Sequence, residues 1–338
     1  MRSALANHRR RRPGACPRPA WPASASLLAL LAVFLSACSS VSTSSTTSTS
    51  TGTGARTGTG PVPEVTGKFG ADPVITIPNG DPSSQLIVRT LMKGDGRVVK
   101  PGDYVIFNVE GKVWAGSRQV VDSYTDRSPQ GLPLSRALPA WRALAGQRVG
   151  SRVLMVVPAK DGFGPQGDPA ATITGSDTLV FVFDVLATMA SDTTVPGPIA
   201  NFDAGPGLPS IGWSTHGPLI TVPAGAKAPG KLVRRIVIRG SGPPILAGQT
   251  VTVQDTGVVW RTGQVFDSTW QRGFPESLML GSGQVIPGWE QGLGGLPVGS
   301  RVLLIIPPSM GYGISGHAPD VKPTDTVVFV IDIVSAVA

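Results

Sequence analysis

The sequence predicts an α+β protein made of two tandem copies of one unit, each a twisted antiparallel sheet wrapped on one short helix. Three observations carry this. First, a long motif is written twice. Val149-Gly-Ser-Arg152, then Val153–Pro158 and Gly162-Phe163-Gly164, returns 149 residues later as Val298-Gly-Ser-Arg301, Val302–Pro307 and Gly311-Tyr312-Gly313. Solenoid repeats run about 20–50 residues, so a period this long marks a duplicated domain. Second, β-branched runs with strand alternation recur in both copies. Third, helix is scarce, with one short candidate per copy.

The elements follow in order. Arg9–Arg12 precedes an apolar stretch, Leu27–Leu35, that is too short to span a bilayer comfortably, and residues 1–37 read as an export signal. The stretch ends in Leu35-Ser36-Ala37-Cys38, which resembles the lipobox of bacterial lipoproteins. That resemblance implies lipidation of Cys38 and a membrane anchor; the alternative is an ordinary signal cleaved near Ala37. Residues 38–66 are dominated by Ser, Thr and Gly and read as a disordered tether. The first unit spans 67–190, a Pro- and Gly-rich linker 191–217, and the second unit 218–338.

Each unit opens on an extended piece with proline at both ends, Pro73–Pro78 and Pro218–Pro223, which suits an edge strand. Strands are predicted at Leu86–Met92, Tyr104–Val109, Val153–Val157 and Leu179–Leu186. Their counterparts are Leu232–Ile238, Thr250–Gln254, Val302–Ile306 and Val327–Val334. Pro287–Leu293 is the best helix, with proline at its first position, and Pro139–Leu144 is its counterpart.

Composition excludes several classes of function. The formal charge of +8 includes six arginines in residues 1–37, where there is no acid; without them it is +2. A nearly neutral chain offers no electrostatic footprint for nucleic acid. Three histidines, of which only His317 lies outside the signal and linker, make a zinc site or a Ser-His-Asp triad a poor reading. Gly162–Gly167 and Gly311–Gly316 match a dinucleotide-binding glycine pattern, but no helix pattern follows to supply the phosphate cradle. No metal and no cofactor are expected. What remains is aromatic and apolar.

The second unit resembles the FKBP-type peptidyl-prolyl isomerases, the macrolide-binding immunophilins. The stretches that carry this are Val251–Gly257, Gly263–Ser268, Leu280–Gly292, Gly311–Gly313 and Thr326–Asp332, with Gly283-Gln-Val-Ile-Pro-Gly-Trp-Glu290 the most specific. The resemblance implies a site. Trp289 would floor an apolar pocket for the substrate proline, walled by Phe266, Phe329, Val285, Ile286 and Val321. Tyr312 and the Ile286 N–H would hydrogen-bond substrate carbonyls, and Asp267 would shape the polar rim. His317 stands where the family often has a pocket-edge histidine, although a solvated loop residue fits it as well. It also implies macrolides of the FK506 and rapamycin type as ligands.

This sequence departs from the pattern. Asp255 stands where the family usually has a tyrosine, and Glu276 stands where a phenylalanine is usual, although Phe274 is near enough to swing into its place. These changes are expected to loosen macrolide binding. The first unit departs further: Val121 replaces Phe266, Phe163 replaces Tyr312, Ala137-Leu138 replaces Val285-Ile286, and Val109 stands at the Asp255 position. Trp141, Asp122 and Phe181 persist. The expected function is prolyl cis–trans isomerisation on exported proteins, mainly by the second unit, from a lipid anchor on the outer face of a bacterial membrane. The rival is a non-catalytic module, a chaperone or scaffold, that grips proline-bearing or unfolded segments in the same cleft.

Overall fold

The computed structural model describes residues 60–197, 201–317 and 319–338. The signal, Cys38 and most of the tether lie outside the described residues. Two strands precede the first sheet: β1 (Glu64–Thr66) and β2 (Val74–Thr76) form an antiparallel pair. Pairing therefore begins inside the last residues of the segment read as tether.

The first sheet comprises β3 (Ile87–Met92), β4 (Asp103–Val113), β5 (Gln119–Asp122), β6 (Gln130–Pro133), β7 (Arg152–Val157) and β8 (Leu179–Ala190). Its order is β3-β7-β8-β4-β5, with β6 pairing the other stretch of β4, and every pair is antiparallel. All six residues of β7 are buried, as its unbroken apolar run requires of a central strand.

Residues 191–217, read as a linker, carry more structure than that reading allows. β9 (Phe202–Asp203) and β10 (Ser210–Ser214) join β11 (Gly217–Thr221) in a small sheet ordered β11-β10-β9. Ile211 and Ile220 bury their side chains in one cluster with Trp260, Leu303 and Ile305 of the second domain. Strands this short, interrupted by Gly and Pro, show no periodicity in sequence; they exist because a neighbouring sheet offers an apolar face.

The second sheet repeats the first. β12 (Val233–Ile238), β13 (Thr250–Val259), β14 (Val265–Ser268), β15 (Glu276–Met279), β16 (Arg301–Ile306) and β17 (Val327–Val337) order as β12-β16-β17-β13-β14, with β15 on β13. Two helices accompany it: α1 (Thr269–Arg272) and α2 (Pro287–Leu293). α2 lies very close to the sheet. A Cβ at Gly288 or Gly292 would sit 2.4 Å from Ile306 or 2.5 Å from Leu304, so glycine permits the approach. In the first domain Leu144 takes the place of Gly292, and Pro139–Leu144 winds as tighter 3₁₀ turns instead of an α-helix.

A buried arginine–aspartate pair anchors each domain to the chain in front of it. Arg152 and Asp184 pair at 2.7 Å and also bind the Gly67 and Ala71 carbonyls and the Gly70 N–H. Arg301 and Asp332 do the same with the Thr194 hydroxyl and the Val195 N–H. Buried pairs of this kind persist where every lone pair and proton finds a partner.

Candidate functional site

The site of the second domain is built of rings held at right angles. Trp289 projects from α2 and Phe329 from β17, both buried, with centroids 5.2 Å apart and planes at 88°. Phe266 on β14 stands 5.5 Å from Phe329 at 81°. Gly257 on β13 makes room for both rings: a Cβ there would lie 2.6 Å from Phe329 and 2.8 Å from Phe266. Edge-to-face contacts match positive ring edges to negative faces, which favours this geometry over flat stacking.

A rim rises above this floor. The β16–β17 connection carries Tyr312 and His317, stacked 4.9 Å apart, and Phe266 meets them edge-on at 5.9 and 6.5 Å. Val321 is buried and fixes His317 through two backbone hydrogen bonds of 2.8 and 2.9 Å. Val285 and Ile286, half-buried, pack on the same cluster just before α2. The Ile286 carbonyl accepts the Trp289 N–H at 2.9 Å and so closes the first turn of α2, while the Ile286 N–H donates to no partner among the described residues. The floor is sealed (Trp289 is 4% exposed), and the half-exposed groups are Phe266, Tyr312, Val285 and Ile286.

Beside the rings lies a set of acids. Asp255 on β13 is 0% exposed. Its N–H donates to the Thr269 hydroxyl at 2.7 Å, but neither carboxylate oxygen has a hydrogen-bond partner. Asp267 and Glu276 converge on it, and Arg272 joins those two, reaching Glu276 at 2.7 Å. Burial above all, then Glu276 and Asp267, holds the Asp255 carboxyl well above the ordinary carboxylate range. Burial pushes Glu276 up to about 7 against the pull of Arg272. Burial and the nearby Asp267 also raise the Tyr312 hydroxyl, which therefore keeps its proton and is available as a donor.

The structure thus brings together Phe266, Asp267, Val285, Ile286, Trp289, Tyr312, His317, Val321 and Phe329. Asp255 sits behind the rings, without contact with solvent. Sequence reasoning missed Arg272 and the helix that presents it. The signal was available: Ser268 caps α1 by accepting the Gln271 N–H, and Gly273 ends it in the left-handed region at φ 81°.

The first domain distributes its rings differently. Trp141 packs on Phe107, Phe181 and Phe183, with centroids at 5.9, 5.2 and 5.2 Å. Val253 and Ile331 stand in the second domain where Phe107 and Phe183 stand here. At the rim, buried Val121 and Ala137 take the places of the half-exposed Phe266 and Val285, while Leu138 and Phe163 stay half-exposed at the Ile286 and Tyr312 positions. Asp168, through its bridge to Ile173, takes the place of His317, which bridges Val321. The first copy adds Phe107 and Phe183 to its core, and the second adds Phe266 at its rim.

An antiparallel sheet packed on one short helical segment, present here twice and carrying a ring-lined rim at the helix start of the second copy, defines an immunophilin-type unit. The family model for FKBP-type peptidyl-prolyl cis-trans isomerases matches residues 96–186 and 243–334, together more than half of the chain. The chain belongs to that family. An FK506-binding protein of Streptomyces anulatus is 44% identical over 112 residues, covering 33% of this chain and 90% of that one. A probable FK506-binding protein of Corynebacterium glutamicum is 40% identical over 119 residues, 35% of this chain and 98% of that one. The crystal structure of the three FKBP domains of wheat FKBP73 is 22% identical, covering 75% of this chain and 94% of that one, with a TM-score of 0.30.

Proposed function

We propose that the second domain catalyses cis–trans isomerisation of X–Pro bonds in exported polypeptides, and that the first domain has weak activity or none. The observation that carries this is the half-exposed rim of Phe266, Tyr312 and Ile286 over the Trp289–Phe329 floor, set against the filled, ring-packed core of the first domain. Rotation about X–Pro faces a barrier of about 18–20 kcal/mol, because amide resonance places partial charge on oxygen and nitrogen. The twisted transition state has lost that resonance and is less charge-separated. A cleft of rings solvates the planar, polar form poorly and so favours the twisted one. The Ile286 N–H and the Tyr312 O–H are two donors that can hold substrate carbonyls while the amide turns. No nucleophile and no general base are needed.

Export and the lipid anchor at Cys38 belong to the same proposal and rest on the sequence of residues 9–38. Unassisted proline isomerisation takes tens of seconds or longer, so polypeptides refolding outside the membrane gain from an anchored isomerase. Macrolides of the FK506 and rapamycin type are the expected inhibitors. Asp255 and Glu276 favour a second reading, a module that binds prolyl segments without turning them over, because they put acids where the resembled family has aromatics.

A protease-coupled prolyl peptide assay on the whole chain separates the two. Turnover that Trp289→Leu removes and Trp141→Leu leaves intact supports the isomerase. Peptide binding without turnover supports the module, and equal losses in both variants sink the assignment to the second domain.

A further inference from the structure

One cluster of the second domain gathers more carboxylates than the cation paired with it can balance. Asp255, Asp267 and Glu276 place carboxylate oxygens within 4.8 Å of one another. The charged groups on this cluster are Asp255 from β13, Asp267 from β14, Arg272 from α1 and Glu276 from β15, with the Tyr312 hydroxyl close by. Among the described residues, Arg272 is the one side-chain cation paired there, and it serves Asp267 and Glu276. Both oxygens of the fully buried Asp255 are left without a hydrogen-bond donor. Fully ionised, three carboxylates against one guanidinium carry a formal charge of −2. Buried carboxylates are not left this way unless a proton or a cation joins them.

The first domain supplies the contrast. Asp72, Glu110 and Asp122 also converge there. Glu110, however, takes the Gln119 amide and the Lys112 ammonium, Asp122 takes the Tyr124 and Thr125 N–H groups, and Asp72 is exposed. That cluster has no orphaned buried carboxylate.

We propose that Asp255, Asp267 and Glu276 form a binding site for one hard divalent cation of the calcium, magnesium or manganese class. Oxygens ligating such an ion at about 2.0–2.6 Å lie no more than about 5 Å apart, which the cluster satisfies. The donor set is all oxygen, with no cysteine or histidine in the cluster to select a softer metal. A charge of +2 cancels the excess and gives Asp255 its missing partner. Two of the three ligands stand where the resembled family carries aromatics, so the site belongs to this chain and not to the fold. It stands or falls independently of isomerase activity.

The test is calorimetric titration of the full chain, stripped with a chelator, with Ca²⁺, Mg²⁺ and Mn²⁺ in turn at neutral pH. The expected result is about one equivalent of at least one of these ions. Asp255→Asn and Glu276→Gln each weaken that binding by about tenfold or more, and Asp122→Asn in the first domain leaves it unchanged. Circular dichroism of each variant checks folding. If Asp255→Asn does not fold, the partly exposed Glu276→Gln decides alone. No binding of any of the three ions, or undiminished binding in the folded variants, overturns the site.

Discussion

Tyr312→Phe isolates one atom of the proposed mechanism. The hydroxyl lies among Asp267, Asp255 and Glu276, accepts no proton from and donates none to a neighbouring side chain, and stays protonated. The ring itself packs on Phe266 at 5.9 Å and stacks on His317 at 4.9 Å, and phenylalanine keeps both contacts. Folding stability should therefore change by less than about 0.5 kcal/mol, the usual range for a substitution that breaks no named contact. If the hydroxyl donates to a substrate carbonyl in the transition state, removing it forfeits one neutral hydrogen bond, about 0.5–1.5 kcal/mol. At about 1.4 kcal/mol per decade that is about a 2- to 13-fold loss in kcat/KM. The assay is a protease-coupled prolyl peptide measurement, with thermal unfolding run on the same sample. An unchanged kcat/KM in a protein with unchanged Tm would refute the donor role. A fall in both would show instead that the ring had shifted. The first domain carries Phe163 at this position, so the substitution also copies one of its differences.

Three further outcomes are expected, two from the ion pairs of the fold and one from the sequence around Cys38. Asp332→Ala strips the buried Arg301 of its carboxylate, and the Thr194 hydroxyl and Val195 N–H of their acceptor; chemical denaturation should show a loss of about 3–5 kcal/mol, and a loss below about 1 kcal/mol would contradict the anchoring role. The Arg261 guanidinium, bonded at 3.0 Å, holds the Asp325 carboxyl below its usual range. That contribution is present above the unfolded carboxylate pKa of about 3.9 and is lost as pH falls through the lower folded value. Arg261→Met should therefore lower Tm at neutral pH, and its deficit should vanish in acid; a deficit independent of pH would count against the pair. Finally, Cys38→Ala should abolish incorporation of labelled fatty acid and release the protein from the membrane fraction, and continued labelling would remove the lipoprotein reading.

Much of the molecule was legible before any coordinate. Duplication, the eight long strands and the α2 position follow from local signals: a repeated motif, alternating or unbroken apolar runs of five or more residues, and proline at a helix start. The ring positions Phe266, Trp289, Tyr312 and Phe329 were legible too, by resemblance to a family with strict spacing. Strands β1, β5, β6, β9, β10, β14 and β15 were not, since each has five residues or fewer and takes its shape from a partner strand rather than from its own pattern. β4 and β13 were read too short for a related reason: Glu110, Gly111, Lys112 and Asp255-Thr256-Gly257 look like loop in sequence, yet both strands run through them because neighbours on either side satisfy their backbone.

The amino-acid order by itself determined that one unit was copied, where its long strands run, and which copy kept aromatics at the family's positions. Only the folded chain decided that Phe107 and Phe183 pack the first copy's indole from within, that Asp255 is shut away from water instead of walling a cleft, and that Arg272 reaches only two of three acids. The division is physical. Periodicity and capping act over a few neighbouring residues, whereas exposure, charge balance and ring packing depend on groups tens of residues apart that share no local signal.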